Sequence, residues 1–459
     1  MEAAEMGKTI ERKNNPRPPP PMMGSHDHDP LFLSEEVWIN VLSRLPVKTL
    51  LRFRCVCKLW RYLISDDPHF VHLHSPHHSK SKSEPRLFFV SLTPREEWEK
   101  HREEGNPISR FEFKSKTLSP FVIPTRFDLV CIQDSDIIHI CNPSTHEFIT
   151  LPKPPRTSFS SCGPDGSVGF GYVSSTDEYK VVRLIPPVYG LGGSRRRFTT
   201  KCLVFTLTER RGFSSSSSSS SSSPWGWRRV VDSPYQVSKY HPAFVNGAIH
   251  WLVYYCSRID AEFYDGHMID PRNTIVAFDV EKEEFRLIEH PRCRDLRSFK
   301  YSDFQLVELR GLLCLSCVEG SKMDIWMFKD YHYNKSGTWV KEYSIVLHPH
   351  YHYLDQRERD DHNNRYREDD YDYCAPRDIK DRKILIETRT TGLGYHHLQT
   401  KSFEGFIDSK RMAYLRSSFF YTESLRSLKT KQSAQGNIEE LTYKQTVECL
   451  KLPSGEQSF

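Results

Sequence analysis

Between residues 86 and about 428 the apolar side chains recur at every second position in short runs, and each run ends at a turn signal. This alternation confines the region to β-structure, because strand side chains alternate between two faces whereas helical ones return every three or four residues. Residues 86–92, 129–141, 179–184, 202–207, 274–280, 312–317 and 323–328 read as strands. Partners follow at 146–152, 227–231, 284–288, 305–309 and 339–346. Asn246-Gly247 stands between 243–245 and 248–252, the strongest short hairpin signal, since both turn residues need positive φ. Residues 169–172 and 179–184 flank the polar turn 174–177 and read as a hairpin, with Gly169 and Gly171 as a turn entering its first strand. Strand, turn and strand repeat at roughly 20 residues, half the length of a propeller blade. One hairpin cannot bury its apolar face alone, but a ring of them can. A two-sheet sandwich of that length would be unusually large, and the span predicts an all-β propeller of six to eight blades.

Residues 31–74 follow a helical period instead. Ser34 is an expected N-cap whose hydroxyl accepts an orphan amide, and Glu35 and Glu36 suit the positive end of the dipole. Val37, Trp38, Val41, Leu42 and Leu45 lie at helical spacing, and Pro46 is expected to break that helix. Val47, Leu50, Leu51 and Phe53 form a second apolar set, and Val56, Leu59, Trp60, Leu63 and Ile64 a third. Asp67-Pro68 predicts a cap and a proline start for a fourth short turn through Phe70 and Leu73. About 40 residues is near the lower limit for unaided folding, so the surplus apolar surface must cover something, either the rest of the chain or another protein.

The whole chain is 459 residues with net charge +5, too mild a balance to argue for nucleic acid. Residues 1–30 are a polar, proline-rich lead with disordered character, 75–85 a polar linker, and 431–459 a tail able to close the ring. No signal peptide and no membrane span are expected. Twelve scattered cysteines, several inside strand-like runs, suit small core hydrophobes in the cytoplasm or nucleus. Ten consecutive serines at 214–223, and 351–373 with both signs of charge, are expected solvated insertions; 96–106 is a charged stretch without a clear role. Irregular loops are expected at 96–106, 185–200, 257–273 and 351–380, at the rims of the ring.

No active site is legible. Cys314 and Cys317 lack a second pair for a structural zinc site. His348, His350 and His352 alternate but include Pro349 and precede a charged run, and His26-Asp27-His28-Asp29 lies in the lead. The glycine pair lacks the third glycine of a dinucleotide loop, and neither a nucleophile elbow nor a Walker-type loop occurs. Arg44, Lys48, Arg52, Arg54, Lys58 and Arg61 read as solvated faces of the helical cluster. No catalytic residue, cofactor or metal is expected.

Two resemblances organise these readings. The helical region resembles the F-box family: Leu33 opens the motif, Leu45-Pro46-Val47-Lys48 marks its centre, and Arg54-Cys55-Val56-Cys57-Lys58-Leu59-Trp60-Arg61 closes it. Ser34 stands where that family usually has proline. The strand region is similar to the kelch-like, F-box-associated region found behind this type of F-box in plants. The pieces are Asn142-Pro143-Ser144-Thr145, Gly169-Phe170-Gly171-Tyr172 with residues 177–182, residues 245–251, residues 275–279 with Glu284-Phe285, and Tyr421-Thr422-Glu423-Ser424-Leu425.

The resemblance implies an α+β multidomain chain, a small all-α F-box followed by a propeller over 86–430. It also implies a non-catalytic adaptor whose F-box docks on a Skp-type adaptor, and through it a cullin, while the propeller holds a protein for ubiquitination. The residues implied at the adaptor are Leu33, Leu42, Leu45, Pro46, Leu50, Leu51, Val56, Cys57 and Trp60, with interface and core unseparated. Substrate-binding residues are unknown. The alternative is a propeller that binds a glycan or small ligand, or a scaffold outside a ligase, with Trp225, Trp227, Trp251, Trp326 and Trp339 as stacking platforms. RNA binding would need a continuous basic patch. No membrane or nucleic-acid partner is expected.

Overall fold

The computed structural model describes residues 34–75, 85–91, 109–115, 120–154, 166–186, 200–207, 226–238, 242–253, 273–291, 293, 304–331, 337–347, 374–388, 392–407, 415–428 and 443–450. The serine run, 96–106, 351–373, Leu33, the three alternating histidines and the histidine–aspartate stretch of the lead lie outside the described residues. By contact the chain divides into two units, Met1–Leu45 and Pro46–Phe459.

The first unit contains α1 (Glu35–Leu42), with Glu35 and Glu36 in its first turn. Ser34 stands at the N-cap, but its hydroxyl makes no capping bond; its carbonyl accepts the Trp38 amide at 3.1 Å. The helix stops at Leu42, ahead of Pro46, so proline does not break it. Instead Pro46 begins the second unit as the N-cap of α2 (Val47–Phe53), where its carbonyl accepts the Leu50 amide at 3.1 Å. A residue at that position needs no N–H of its own. Next come α3 (Lys58–Ser65) and α4 (Pro68–Leu73), the latter with proline in its first turn and Asp67 accepting the His69 amide at 3.0 Å.

The strands begin with β1 (Arg86–Ser91) and β2 (Ser109–Ser115). The next twenty fall into five sheets, each of four consecutive antiparallel strands. The first is β3 (Phe121–Val122), β4 (Val130–Asp134), β5 (Ile137–Asn142) and β6 (Glu147–Thr150). The second is β7 (Ser167–Val173), β8 (Glu178–Ile185), β9 (Lys201–Leu207) and β10 (Arg228–Arg229). The third is β11 (Ala243–Val245), β12 (Ala248–Leu252), β13 (Thr274–Asp279) and β14 (Phe285–Glu289). The fourth is β15 (Phe304–Leu309), β16 (Leu312–Glu319), β17 (Lys322–Lys329) and β18 (Thr338–Val346). The fifth is β19 (Cys374–Lys380), β20 (Lys383–Thr388), β21 (Gly392–His397) and β22 (Phe403–Ile407). Finally β23 (Leu415–Tyr421) and β24 (Tyr443–Leu450) join the first two strands in a composite sheet ordered β2-β24-β1-β23. The architecture is a β-propeller of five contiguous blades, not the expected six to eight repeats. The remaining strands are spent on the composite sheet, which interleaves the two ends of the region.

Each seam between neighbouring sheets has its own apolar cluster, and alternation along the strands feeds the two seams in turn. Val181 faces the first blade and Val182 the third. Leu315 faces the third blade and Cys314 the fifth. Leu87, Phe419, Phe420 and Tyr421 connect the composite sheet to the fifth and first blades. Middle strands are therefore buried on both faces, which is why they read as near-continuous apolar runs.

Two sequence expectations are corrected here. Gly169 and Gly171 lie inside β7, not in a turn. A Cβ on Gly169 would stand 2.5 Å from the Trp251 ring, and one on Gly171 would stand 2.6 Å from Val280, so glycine is required by the close approach of the third blade. Residues 374–380, expected within an irregular loop, form β19. Its Pro376 sits where the register with β20 shifts, and a bulge is where a strand tolerates proline.

The loop between β3 and β4 reaches every other sheet. Arg126 donates to Asp378 and to the Arg377 carbonyl at 2.9 Å, pairs with Glu308 at 2.5 Å, and lies 4.5 Å over the Phe420 ring. Phe127 packs against Phe170, Tyr172 and Tyr179 of the second blade and, at 5.0 Å, Phe244 of the third. Asp128 is fully buried and accepts from Tyr179 and from Arg426. Phe127→Ala should therefore lower stability by about 3–5 kcal/mol, the range for deleting a buried ring. Val340→Ala on the outer strand β18, 38% exposed, should stay within about 0.5 kcal/mol. Denaturant unfolding of the two variants checks the contrast.

Burial also sets an acid sensitivity. His250 is buried at the seam of the third and fourth blades, hydrogen-bonded to the Tyr331 hydroxyl at 2.7 Å, and burial lowers its pKa to about 4. The unfolded chain takes up that proton near the ordinary value of 6.5 while the folded chain does not. The stabilisation is complete above about 6.5 and falls as pH drops toward 4, by up to about 3 kcal/mol. The melting temperature of His250→Asn should fall less than that of the parent between pH 7.5 and 5, as read by calorimetry.

Candidate functional site

The helices of the second unit separate core from surface more sharply than sequence allowed. Val47, Leu50, Leu63, Ile64 and Phe70 are buried, and Phe53 meets Trp60 at 5.1 Å between ring centres. Three apolar residues face outward instead: Val56 at 60% exposure, Leu59 at 39% and Tyr62 at 53%. Their spacing of three places Leu59 and Tyr62 on one stripe of α3, with Val56 in the turn that leads into it. Leu73 at the end of α4 is also exposed. In the first unit, Val37 and Val41 form an exposed i, i+4 pair on α1 while Leu42 is buried.

The turn itself is well tied. The Cys55 amide donates to Arg52 at 3.2 Å and the Val56 amide to Phe53 at 3.0 Å. Cys57 is the N-cap of α3, its sulfur accepting the Trp60 amide at 3.4 Å. Arg52, Lys58 and Arg61 are exposed around it. The result is an exposed apolar stripe on a short helix that carries exposed cations.

Of the residues singled out from sequence, Leu42 and Leu50 are core, while Leu45, Leu51 and Trp60 are half-buried. Pro46, Val56 and Cys57 are exposed. Val37, Val41, Leu59, Tyr62 and Leu73 were absent from that set. Apolar spacing marked most of them as helix-facing residues, and nothing in the period says which of two apolar faces stays open. Tyr62 carried no signal beyond its position three residues after Leu59.

Elsewhere the candidates are structural. Cys314 and Cys317 point to opposite faces of β16, into different seams, so they cannot share a metal. Among the described residues no cluster of three or more metal-binding side chains occurs. Trp227 and Trp251 are buried in seams, the former donating to the Pro152 carbonyl at 2.7 Å. Trp339 stacks on Phe328 at 4.6 Å and donates to the Glu289 carbonyl, and half-buried Trp326 lies beneath Lys341. Trp225 lies outside the described residues.

Two family models match: the F-box domain over residues 31–72 and the F-box associated beta propeller domain over 77–360. The chain belongs to the F-box proteins with an F-box associated propeller. Among its relatives, F-box protein At3g07870 of Arabidopsis thaliana is 28% identical over 335 residues, covering 68% of this chain and 72% of its own length. F-box protein At5g18160 of the same plant is 26% identical, covering 67% and 69%. F-box/kelch-repeat protein At3g23880, also from Arabidopsis thaliana, is 26% identical, covering 69% and 79%.

The exposed and buried halves of this F-box should respond differently to substitution. Leu50→Ala removes a fully buried side chain and should destabilise by about 2–5 kcal/mol. Leu59→Ala, on the open stripe, should cost well under 1 kcal/mol in the isolated protein. Thermal unfolding of each variant followed by far-UV dichroism tests the assignment.

Proposed function

We propose that this F-box protein is a substrate-recognition subunit of an SCF-type cullin–RING ubiquitin ligase. The F-box docks on a Skp-type adaptor, and through it a cullin, and the propeller holds the protein to be ubiquitinated. In this reading the chain makes no bond itself; it raises the local concentration of target lysines near the charged conjugating enzyme.

The observation that carries the reading is the stripe of Val56, Leu59 and Tyr62, left open on helices whose own core is already filled. Covering each such side chain is worth about 1–3 kcal/mol. Leu33, Leu45, Pro46, Leu51, Cys57 and Trp60 complete the proposed contact, with Leu42 and Leu50 holding the helices in shape.

The ring supports the second half of the proposal. Because every blade runs antiparallel from its first strand, the hairpins β7–β8, β11–β12, β15–β16 and β19–β20 share one face with residues 123–129. Those hairpins include two-residue turns at Asn246-Gly247, Arg310-Gly311 and Asp381-Arg382. The chain also enters β1 from that face. The β8–β9 and β12–β13 connections within the second and third blades, and the β18–β19 connection between the fourth and fifth, begin and end at the opposite face. We assign substrate recognition to that opposite face. In the same reading the composite sheet is the closure of the ring.

Two measurements test this. Val56→Asp with Leu59→Asp should abolish capture of a recombinant Skp-type adaptor while the propeller keeps its melting transition; undiminished capture would sink the docking assignment. Grafting residues 86–459 behind an unrelated F-box should carry the set of co-purifying proteins with it. A partner set that stays with the original F-box would refute the division of labour.

A further inference from the structure

Among the described cysteines only Cys55 and Cys57 are exposed. They flank Val56, the most exposed apolar side chain of the helical region, in the turn between α2 and α3. The other described thiols sit in or beside the seams, where burial pushes Cys131, Cys202 and Cys314 well above the ordinary thiol range. Thiolate is the reacting form, so those buried groups are inert by comparison. Cys57 differs in kind: its sulfur already accepts a helix amide, a donor that serves a thiolate as well as a thiol. Exposed Arg52 before the turn, and Lys58 and Arg61 in the first turn of the helix that follows it, favour an anionic reagent.

We propose that Cys55 and Cys57 form a thiol-modification site for an anionic low-molecular-weight disulfide, of which oxidised glutathione is the type, and that the adduct blocks adaptor docking. The thiolate sulfur attacks one sulfur of the reagent, a protein–glutathione S–S bond forms and the reagent's S–S bond breaks. The departing half leaves as a thiolate and takes up the proton that the cysteine released. The adduct brings two carboxylates over Val56 and beside Leu59, where docking would have to bury them unpaired. This inference rests on the adaptor-docking reading and adds a control to it.

The test uses the full chain and an immobilised Skp-type adaptor. Reduced protein should bind. After treatment with oxidised glutathione, with both adducts located by peptide mass spectrometry, affinity should fall at least tenfold, and dithiothreitol should restore it. A C55S/C57S variant, whose serine hydroxyl is itself a preferred helix cap, should ignore the reagent, with the same affinity before and after treatment. Adaptor added first should protect both thiols. The proposal is overturned if doubly modified protein binds with unchanged affinity, or if C55S/C57S loses affinity under oxidised glutathione as the parent does. If the fully reduced protein fails to bind at all, the docking reading itself falls, and the thiol proposal with it.

Discussion

Arg126, Phe127 and Asp128 are the three residues on which the ring most depends. A propeller has no central core; its apolar clusters sit in the seams, so each blade is held only by its two neighbours. The β3–β4 loop breaks that limitation by carrying contacts from the first blade to all the others and to the composite sheet. Arg126 suits the task because its planar fork can serve a carboxylate, a carbonyl and an aromatic face together. Phe127 supplies apolar area at the same spot, and its carbonyl accepts the Thr422 amide at 2.9 Å.

That last bond ties the loop to residues 422–428, which follow β23 across the first blade. Asn142 donates to the carbonyls of Ser424 and Arg426 at 3.3 and 2.8 Å, and Glu147 accepts the Leu428 amide. Arg426 pairs with Asp177, which also accepts from Tyr172 at 2.7 Å. Arg86 at the start of β1 pairs with Glu423 at 2.9 Å. Three of the short pieces that carried the family resemblance, at 142–145, 169–182 and 421–425, therefore meet in one network. In this chain they latch the ring, and they tell nothing about what it binds.

How much was legible follows from the same physics. Middle strands were easy, since both faces are buried and their runs are strongly apolar. The hairpin at Asn246-Gly247 was equally plain, with φ of 51° and 76° at the two residues. Short inner strands were not. β3 has two residues, and β19 carries a proline at a bulge, so neither alternates long enough to show. The composite sheet was hidden for a different reason: β1 pairs with strands more than 300 residues away, and no local pattern encodes such a partner. In the F-box, helical period located the apolar residues but could not sort Leu50 from Val56, because one packs inward and the other stays open with the same chemistry.

This separation of latch from surface constrains how such a chain can acquire new partners. Substitutions at Asn142, Asp177 or Arg426 disturb a buried polar network, where an orphaned group costs about 1–3 kcal/mol or more. Two-residue turns on the latched face leave little room for insertion, because their positive-φ residues fix the register of both strands. The connections on the opposite face, such as β8–β9 and β12–β13, carry no such two-residue turn. Lengthening one costs only about 0.6 kcal/mol per doubling, and the blades on either side remain seated by their seams. Apart from the β9–β10 connection, which shares the latched face, variation is therefore cheapest on the opposite face of a ring closed from within by Arg126, where the proposed substrate surface lies.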